Sequence, residues 1–189
     1  MRIGLIGWLC LWSAVSFTVL CDAGSMGRCG GTGGTTTKTL TCGTDEFVIE
    51  MHGIGGLFLD GIEIDCGKID STGHISGVVR RLTAGPKANV SMTNGGVCRN
   101  EYGVIEVDFH CGTFVDQLQG ALCGIYSPGT GIFQNIPFNT FTIAAGGGGG
   151  TAVRKFCPNG EGLYQVIVKY GSTIDSVEGV CRKPPVHAQ

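Results

Sequence analysis

Short runs of β-branched, aliphatic and aromatic residues, partly alternating with polar ones, recur along the chain between glycine-rich and polar turns. Phe47-Val48-Ile49-Glu50-Met51 is one run, Val104-Ile105-Glu106-Val107-Asp108-Phe109 a second, and residues 163–170 a third. Period-two alternation of this composition predicts β-strands. A glycine turn follows each run, at Gly55-Gly56, Gly112 and Gly171, and a second strand follows each turn. In Leu59-Asp60-Gly61-Ile62-Glu63-Ile64, residues Asp60, Ile62 and Ile64 fall on one face and Leu59, Gly61 and Glu63 on the other. Ile62 and Ile64 are read as core, and Asp60 turns out into a loop at the strand's start. Further strands are predicted over residues 74–82, 89–92 and 132–143. No segment after residue 23 sustains a helical period, so the fold class is all-β and antiparallel.

The hairpins are copies of one unit. Cys42, Gly56 and Asp60 repeat as Cys98, Gly112 and Asp116, and again as Cys157, Gly171 and Asp175, with the glycine fourteen and the aspartate eighteen residues after the cysteine. An aliphatic residue stands two positions past each aspartate: Ile62, Leu118 and Val177. Cys66, Cys123 and Cys181 close the copies, which span about residues 29–70, 90–128 and 144–183. A unit this short cannot bury a core of its own, so the three predict a single pseudo-threefold domain over residues 24–189. Glycine clusters precede two copies, at Gly30-Gly31-Thr32-Gly33-Gly34 and from Gly146 to Gly150; the second copy has only Gly95-Gly96.

Residues 1–23 read as a secretory signal peptide: Met1-Arg2, an uncharged and mostly apolar run, then small residues. Cleavage is expected after Ala23, with Cys21 the alternative; an uncleaved signal anchor is the competing reading. Removing residues 1–23 takes Cys10 and Cys21 from the ten cysteines and leaves eight. In a secreted chain that reads as a disulfide framework. Joining first to last cysteine within each copy gives Cys42–Cys66, Cys98–Cys123 and Cys157–Cys181, and leaves Cys29 with Cys111. Zinc is disfavoured, because no C-x-x-C pair or spaced histidine partner is present. The sequon Asn89-Val90-Ser91 suits a glycosylated surface loop. A net charge of −2 argues against nucleic acid and acidic membranes as partners. The pairs Arg80-Arg81 and Arg154-Lys155 are read as solvated loop charges.

Three glycine-turn aspartates in fixed register, with glycine-rich loops, resemble the jacalin-related lectins; residues 168–177 match that family's last hairpin best. The arrangement also resembles griffithsin-like three-repeat lectins, and the paired cysteines resemble vitelline membrane outer layer proteins. The resemblance covers residues 29–182. It implies a β-prism I: three antiparallel Greek-key sheets about a pseudo-threefold axis. It also implies a carbohydrate-binding, non-enzymatic protein without cofactor or metal. The implied sugar-binding residues are Asp60, Asp116 and Asp175 as hydroxyl acceptors and Gly56, Gly112 and Gly171 as turn glycines. Phe58 and Phe114 are the motif aromatics, with Thr173 in their place in the third copy. Gly30, Gly31, Gly33, Gly34, Gly146, Gly147 and Gly148 are the implied amide-donating loops. The chemistry is sound: a carboxylate accepts strongly from two neighbouring hydroxyls, and glycine lets the backbone approach a ligand.

The resulting expectation is a secreted lectin for hexose or mannose-like glycans. Its partners would be glycans or glycoproteins, it would meet membranes only through their glycans, and homo-oligomers are allowed. The alternative is a non-catalytic structural protein of an egg coat or extracellular matrix, whose aspartates only hold the hairpins through local N–H bonds. Glu50 and Glu106 occupy equivalent positions and are read as solvent-face residues rather than a glycosidase pair. His52 and His110 flank the turns and are read as exposed loop residues.

Overall fold

In the computed structural model, residues 24–98 and 102–187 are described, except for the side chains of residues 137 and 138. The expected signal peptide, residues 1–23, and the polar turn expected at 99–101 lie outside them. The chain runs through β1 (Gly24–Gly30), β2 (Thr36–Thr41), β3 (Glu46–Gly55) and β4 (Leu59–Ile69). It continues through β5 (Ile75–Ala84), β6 (Asn94–Val97), β7 (Tyr102–Cys111) and β8 (Val115–Ser127). The last four are β9 (Ile132–Gly146), β10 (Thr151–Phe156), β11 (Gly162–Tyr170) and β12 (Ile174–Arg182).

These strands build three four-stranded antiparallel sheets, ordered β5-β4-β3-β6, β10-β7-β8-β9 and β1-β12-β11-β2. In each, the central hairpin is one sequence repeat, and the two flanking strands are joined by a loop over the hairpin's turn. This is the β-prism I, with the first two and last two strands meeting in the third sheet. The inward faces carry one apolar core along the axis, including Val48, Met51, Ile62, Ile64, Val104, Val107, Leu118, Leu163, Val166 and Ile174. A second cluster around Phe47, Ile105, Tyr126 and Phe133 fills the end away from the turns.

The symmetry extends to the backbone. The ladder of each central hairpin slips by one residue at Ile49, Ile105 and Tyr164, seven positions after the repeat's first cysteine. A bulge turns the extra residue's peptide out of the ladder. The carbonyls of the same residues accept from the cysteine that follows the flanking strand of the same sheet: Cys98 N–H to Ile49 O at 2.7 Å, Cys157 to Ile105 at 2.8 Å, Cys42 to Tyr164 at 2.9 Å. Three equivalent bonds thus end the β3–β6, β7–β10 and β11–β2 ladders. Four disulfides brace the fold. Cys42–Cys66, Cys98–Cys123 and Cys157–Cys181 lie one in each repeat, and Cys29–Cys111 ties β1 to β7. These are the pairs the repeat register predicts.

Several expectations need correction. Residues 89–92 form no strand but belong to the loop between β5 and β6, and Gly95-Gly96 lie inside β6 rather than in a loop. Leu59 is as buried as Ile62 and Ile64, because the register shifts between Ile54 and Gly55 and breaks the alternation. Neither basic pair is in a loop. Arg80 and Arg81 sit on β5 and bond Glu46 and Asp65, while Arg154 on β10 lies 3.5 Å from Glu106 and 3.6 Å from Asp108. Glu106 is not solvated: it is 6% exposed, flanked in register by Phe156 on β10 and Leu122 on β8.

Candidate functional site

The three hairpin turns gather at one end of the prism. The rings of Phe58 and Phe114 pack together with centroids 5.1 Å apart. A Cβ on Gly31 would lie 2.3 Å from Thr113 O, and one on Gly147 would lie 2.6 Å from Leu57 O. The loops at 30–34 and 146–150 therefore each touch both their own hairpin and the tip of a neighbouring one.

The structure assigns a loop to each aspartate. Residues 30–34 stand against Asp175, and residues 146–150 against Asp116. The two arrangements match contact for contact. Gly31 N–H donates to Asp175 O at 2.9 Å, and Gly147 N–H donates to Asp116 O at 3.0 Å. Each turn is closed by a short bond, Gly171 N–H to Thr173 O at 3.0 Å and Gly112 N–H to Phe114 O at 2.9 Å. A Cβ on Gly33 would fall 2.2 Å from Asp175 Oδ1, and one on Gly149 would fall 2.7 Å from Asp116 Oδ1. On Gly34 and Gly150 it would fall 2.7 and 2.5 Å from the respective Oδ2 atoms. Glycine is required here because the loop backbone lies directly on the carboxylate, and Gly34 and Gly150 also have left-handed backbone, φ 75° and 66°.

In both places the aspartate's main-chain carbonyl fixes the loop, while its carboxylate takes no hydrogen bond from the described residues. Asp116 and Asp175 are only 8% and 5% exposed, so each carboxylate sits recessed between its turn and its glycine loop. His110 stands beside the second arrangement, with Nδ1 3.2 Å from Gly149 O.

Asp60 differs. Its loop, residues 85–93, is longer and begins at Gly85, whose φ of 105° matches Gly30 (92°) and Gly146 (101°). Lys87 N–H donates to Asp60 O at 3.0 Å, so the main-chain anchor is kept. The Lys87 ammonium then folds back onto the carboxylate, with Nζ 2.7 Å from Oδ2. A Cβ on Gly56 would meet nothing within 4 Å, and among the described residues no bond spans this turn as in the other two. Asn89 is exposed in the same loop. Gly85 and Lys87 were missed in the sequence. The available signal was a glycine directly after the strand flanking the hairpin, which Gly85-Pro86 satisfies and Gly95-Gly96 does not.

His52, read as an exposed loop residue, lies on β3 with Nε2 3.3 Å from Glu50. Glu50, His52 and Asp65 place one donor atom each within 4.8 Å of one another. Both carboxylate oxygens of Asp65 already accept from Arg81, so this group is built as an ion-pair network.

The architecture defines a class, that of the jacalin-related lectin fold. A banana lectin (Malaysian banana) superposes with a TM-score of 0.58 at 15% identity, covering 85% of this chain and 99% of its own. A mannose-binding jacalin-related lectin from Ananas comosus gives 0.55 at 11% identity over 85% and 98% of the two chains. Calystegia sepium agglutinin gives 0.55 at 10% identity over 85% and 97%. No protein-family model matches the sequence, and no curated protein matches it.

Proposed function

We propose that this protein is a secreted, non-enzymatic lectin that binds hexose or mannose-like glycans at two equivalent sites. One is formed by Asp116, Gly112, Phe114 and the loop with Gly146, Gly147 and Gly148. The other is formed by Asp175, Gly171, Thr173 and the loop with Gly30, Gly31, Gly33 and Gly34. The observation that carries this reading is the division of labour at each aspartate. The main-chain carbonyl holds the loop, which leaves the carboxylate to accept from a ligand's paired hydroxyls. A scaffold aspartate would spend its carboxylate on local N–H groups, as Asp70 does with Thr72 and His74. The fold shared with proteins named as mannose-binding supports the same reading. Asp60, with Gly56 and Phe58, is the third member of the set, closed by Lys87.

Four disulfides fit an oxidising compartment, where the exposed sequon at Asn89 would be open to glycosylation. Two sites on one end would gain avidity on dense glycans. The deciding experiment is a glycan array on the oxidised mature chain beside Asp116→Ala/Asp175→Ala and Asp60→Ala. Selective binding that survives Asp60→Ala and disappears in the double variant is expected. A folded parent that binds no glycan would shift the assignment to an extracellular structural protein.

A further inference from the structure

Besides its main-chain anchor, each loop at the turn end has a side-chain tether, and the three copies make it differently. The residue twelve places after the repeat's first cysteine, two before the turn glycine, is Ile54, His110 or Lys169. Lys169 Nζ donates to Thr32 O at 2.7 Å. His110 Nδ1 lies 3.2 Å from Gly149 O. Each reaches from the hairpin's first strand to a loop carbonyl. One carbonyl directly precedes Gly33 and the other belongs to Gly149, the two glycines that lie against the carboxylate Oδ1 atoms. Ile54 has no polar side-chain atom, and in that copy the loop supplies the tether itself, through Lys87 on the Asp60 carboxylate. The first tether consumes the carboxylate. The other two take a loop carbonyl instead and leave the carboxylate to accept from a ligand.

We propose that Lys169 and His110 are the positioning residues of the Asp175 and Asp116 sites, and that His110 couples its site to pH. The proposal rests on the reading of those aspartates as glycan acceptors. A loop already fixed loses less freedom when a ligand arrives, so a firmer tether gives a tighter site. The two donors differ in one property. An ammonium keeps its proton through neutral pH, whereas an imidazole changes charge between about pH 5 and 8. A neutral imidazole has one N–H, so Nδ1 can donate to Gly149 O in one tautomer only; a protonated one donates from both nitrogens. The charge-assisted bond is also roughly twice as strong as the neutral one. The tether on residues 146–150 therefore strengthens as pH falls, while that on residues 30–34 stays constant. The register partners of His110 are uncharged, Ala152 on β10 and Gln117 on β8, and its loop from Gly146 to Gly150 carries no charge. Among the described residues, the charged groups on its side are Asp116 past the turn and, farther back on the same face, Glu106 and Asp108, which share Arg154 at 3.5 and 3.6 Å. His110 alone among them is an imidazole.

The test reads the tethers first, without sugar. The Gly31 and Gly147 N–H groups make the bonds that anchor the two loops, so their hydrogen-exchange protection in the oxidised protein reports loop opening. Lys169→Ala should lower protection at Gly31 alone, and His110→Ala at Gly147 alone. Between pH 5.5 and 7.5 parental protection, corrected for the intrinsic exchange rate, should fall at Gly147 and hold at Gly31. His110→Lys, which copies the third repeat, should keep Gly147 protected and abolish its pH dependence. Titration with methyl α-mannoside then reads each site through its own loop. Each alanine variant should weaken its own site about 3- to 10-fold and leave the other unchanged, and the parental Asp116 site should be about 3- to 5-fold tighter at pH 5.5 than at pH 7.5. Unchanged protection in both alanine variants, a pH response that survives His110→Lys, or affinities indifferent to the tethers overturns the proposal. The expected protection pattern with no loop shifted by the sugar would refute the glycan reading alone, because the tethers are measured in its absence.

Discussion

Gly33→Ala and Gly149→Ala are the sharpest perturbations of the two open sites. Neither glycine has left-handed backbone, so alanine costs no φ strain at either position. The added methyl carbon would sit 2.2 Å from Asp175 Oδ1 or 2.7 Å from Asp116 Oδ1, inside van der Waals contact. To relieve that overlap the carboxylate must turn away or the loop must lift, and either movement removes the accepting geometry. A hydrogen bond to a charged group contributes about 1.5–3 kcal/mol, so losing one weakens that site roughly 10- to 150-fold. Amide resonances followed by NMR during titration with methyl α-mannoside read the two sites separately. In the parent, both the 30–34 and 146–150 loops should shift. In Gly33→Ala only the 146–150 loop should respond, in Gly149→Ala only the 30–34 loop, and in the double variant neither. Gly77→Ala is the control, since its Cβ meets nothing within 4 Å and it lies on β5, outside both loops. Undiminished shifts of both loops in the folded double variant would refute the assignment of the carboxylates as hydroxyl acceptors.

Lys87→Ala removes the cation from Asp60; because Lys87 is half exposed, chemical denaturation should show a loss below about 1 kcal/mol. A larger loss would mean that the pair holds the 85–93 loop. Replacing Cys29 and Cys111 by serine opens a bridge of sequence separation 82. Chain entropy sets an upper bound of about 4.5 kcal/mol, reduced because Cys42–Cys66 already shortens the enclosed loop. An unchanged denaturation midpoint for that pair would contradict the bound's premise that the bridge constrains the unfolded chain. Burial raises the Glu106 carboxyl above its ordinary range, Asp108 adds to the rise and Arg154 opposes it. A raised carboxyl costs the folded state stability as pH climbs from the unfolded value through the folded one. Glu106→Gln should therefore melt higher than the parent at pH 7, and the gain should vanish near pH 3.5; a gain independent of pH would exclude this cause.

Local features were the legible ones. The alternation in Val104-Ile105-Glu106-Val107 and the glycine turns specify hairpins, because strand and turn preferences act over a few residues. The cysteine register specifies the bridges, because each hairpin brings its own outer ends together. What escaped depends on distant chain. The bulges at Ile49, Ile105 and Tyr164 fall where each central strand leaves register with its hairpin partner, and no local signal marks them. Which loop faces which aspartate depends on β1 pairing with β12 across the whole sequence. The closure of Asp60 rests on Lys87, 27 residues away, in a loop whose β-branched and aliphatic residues read as a strand. Glu106 passed for a surface residue because its cover, Phe156, belongs to another strand.

The pairing of the first two strands with the last two sets an order of assembly. The sheets of β3–β6 and β7–β10 are each drawn from unbroken stretches of chain, whereas the remaining sheet needs both ends. During synthesis β1 and β2 emerge first and wait for β11 and β12, and such distant pairings close slowly. The exposed residues Thr36, Thr37, Lys38 and Thr39 suit that wait, because a polar, charged strand resists pairing with another chain's edge. The two carboxylate recesses are consequently finished at different moments. Asp116 and its loop come from residues 112–150 and take shape with their own sheet. Asp175 meets residues 30–34 only when the last hairpin docks, so an intact Asp175 recess is a signature of a fully closed molecule.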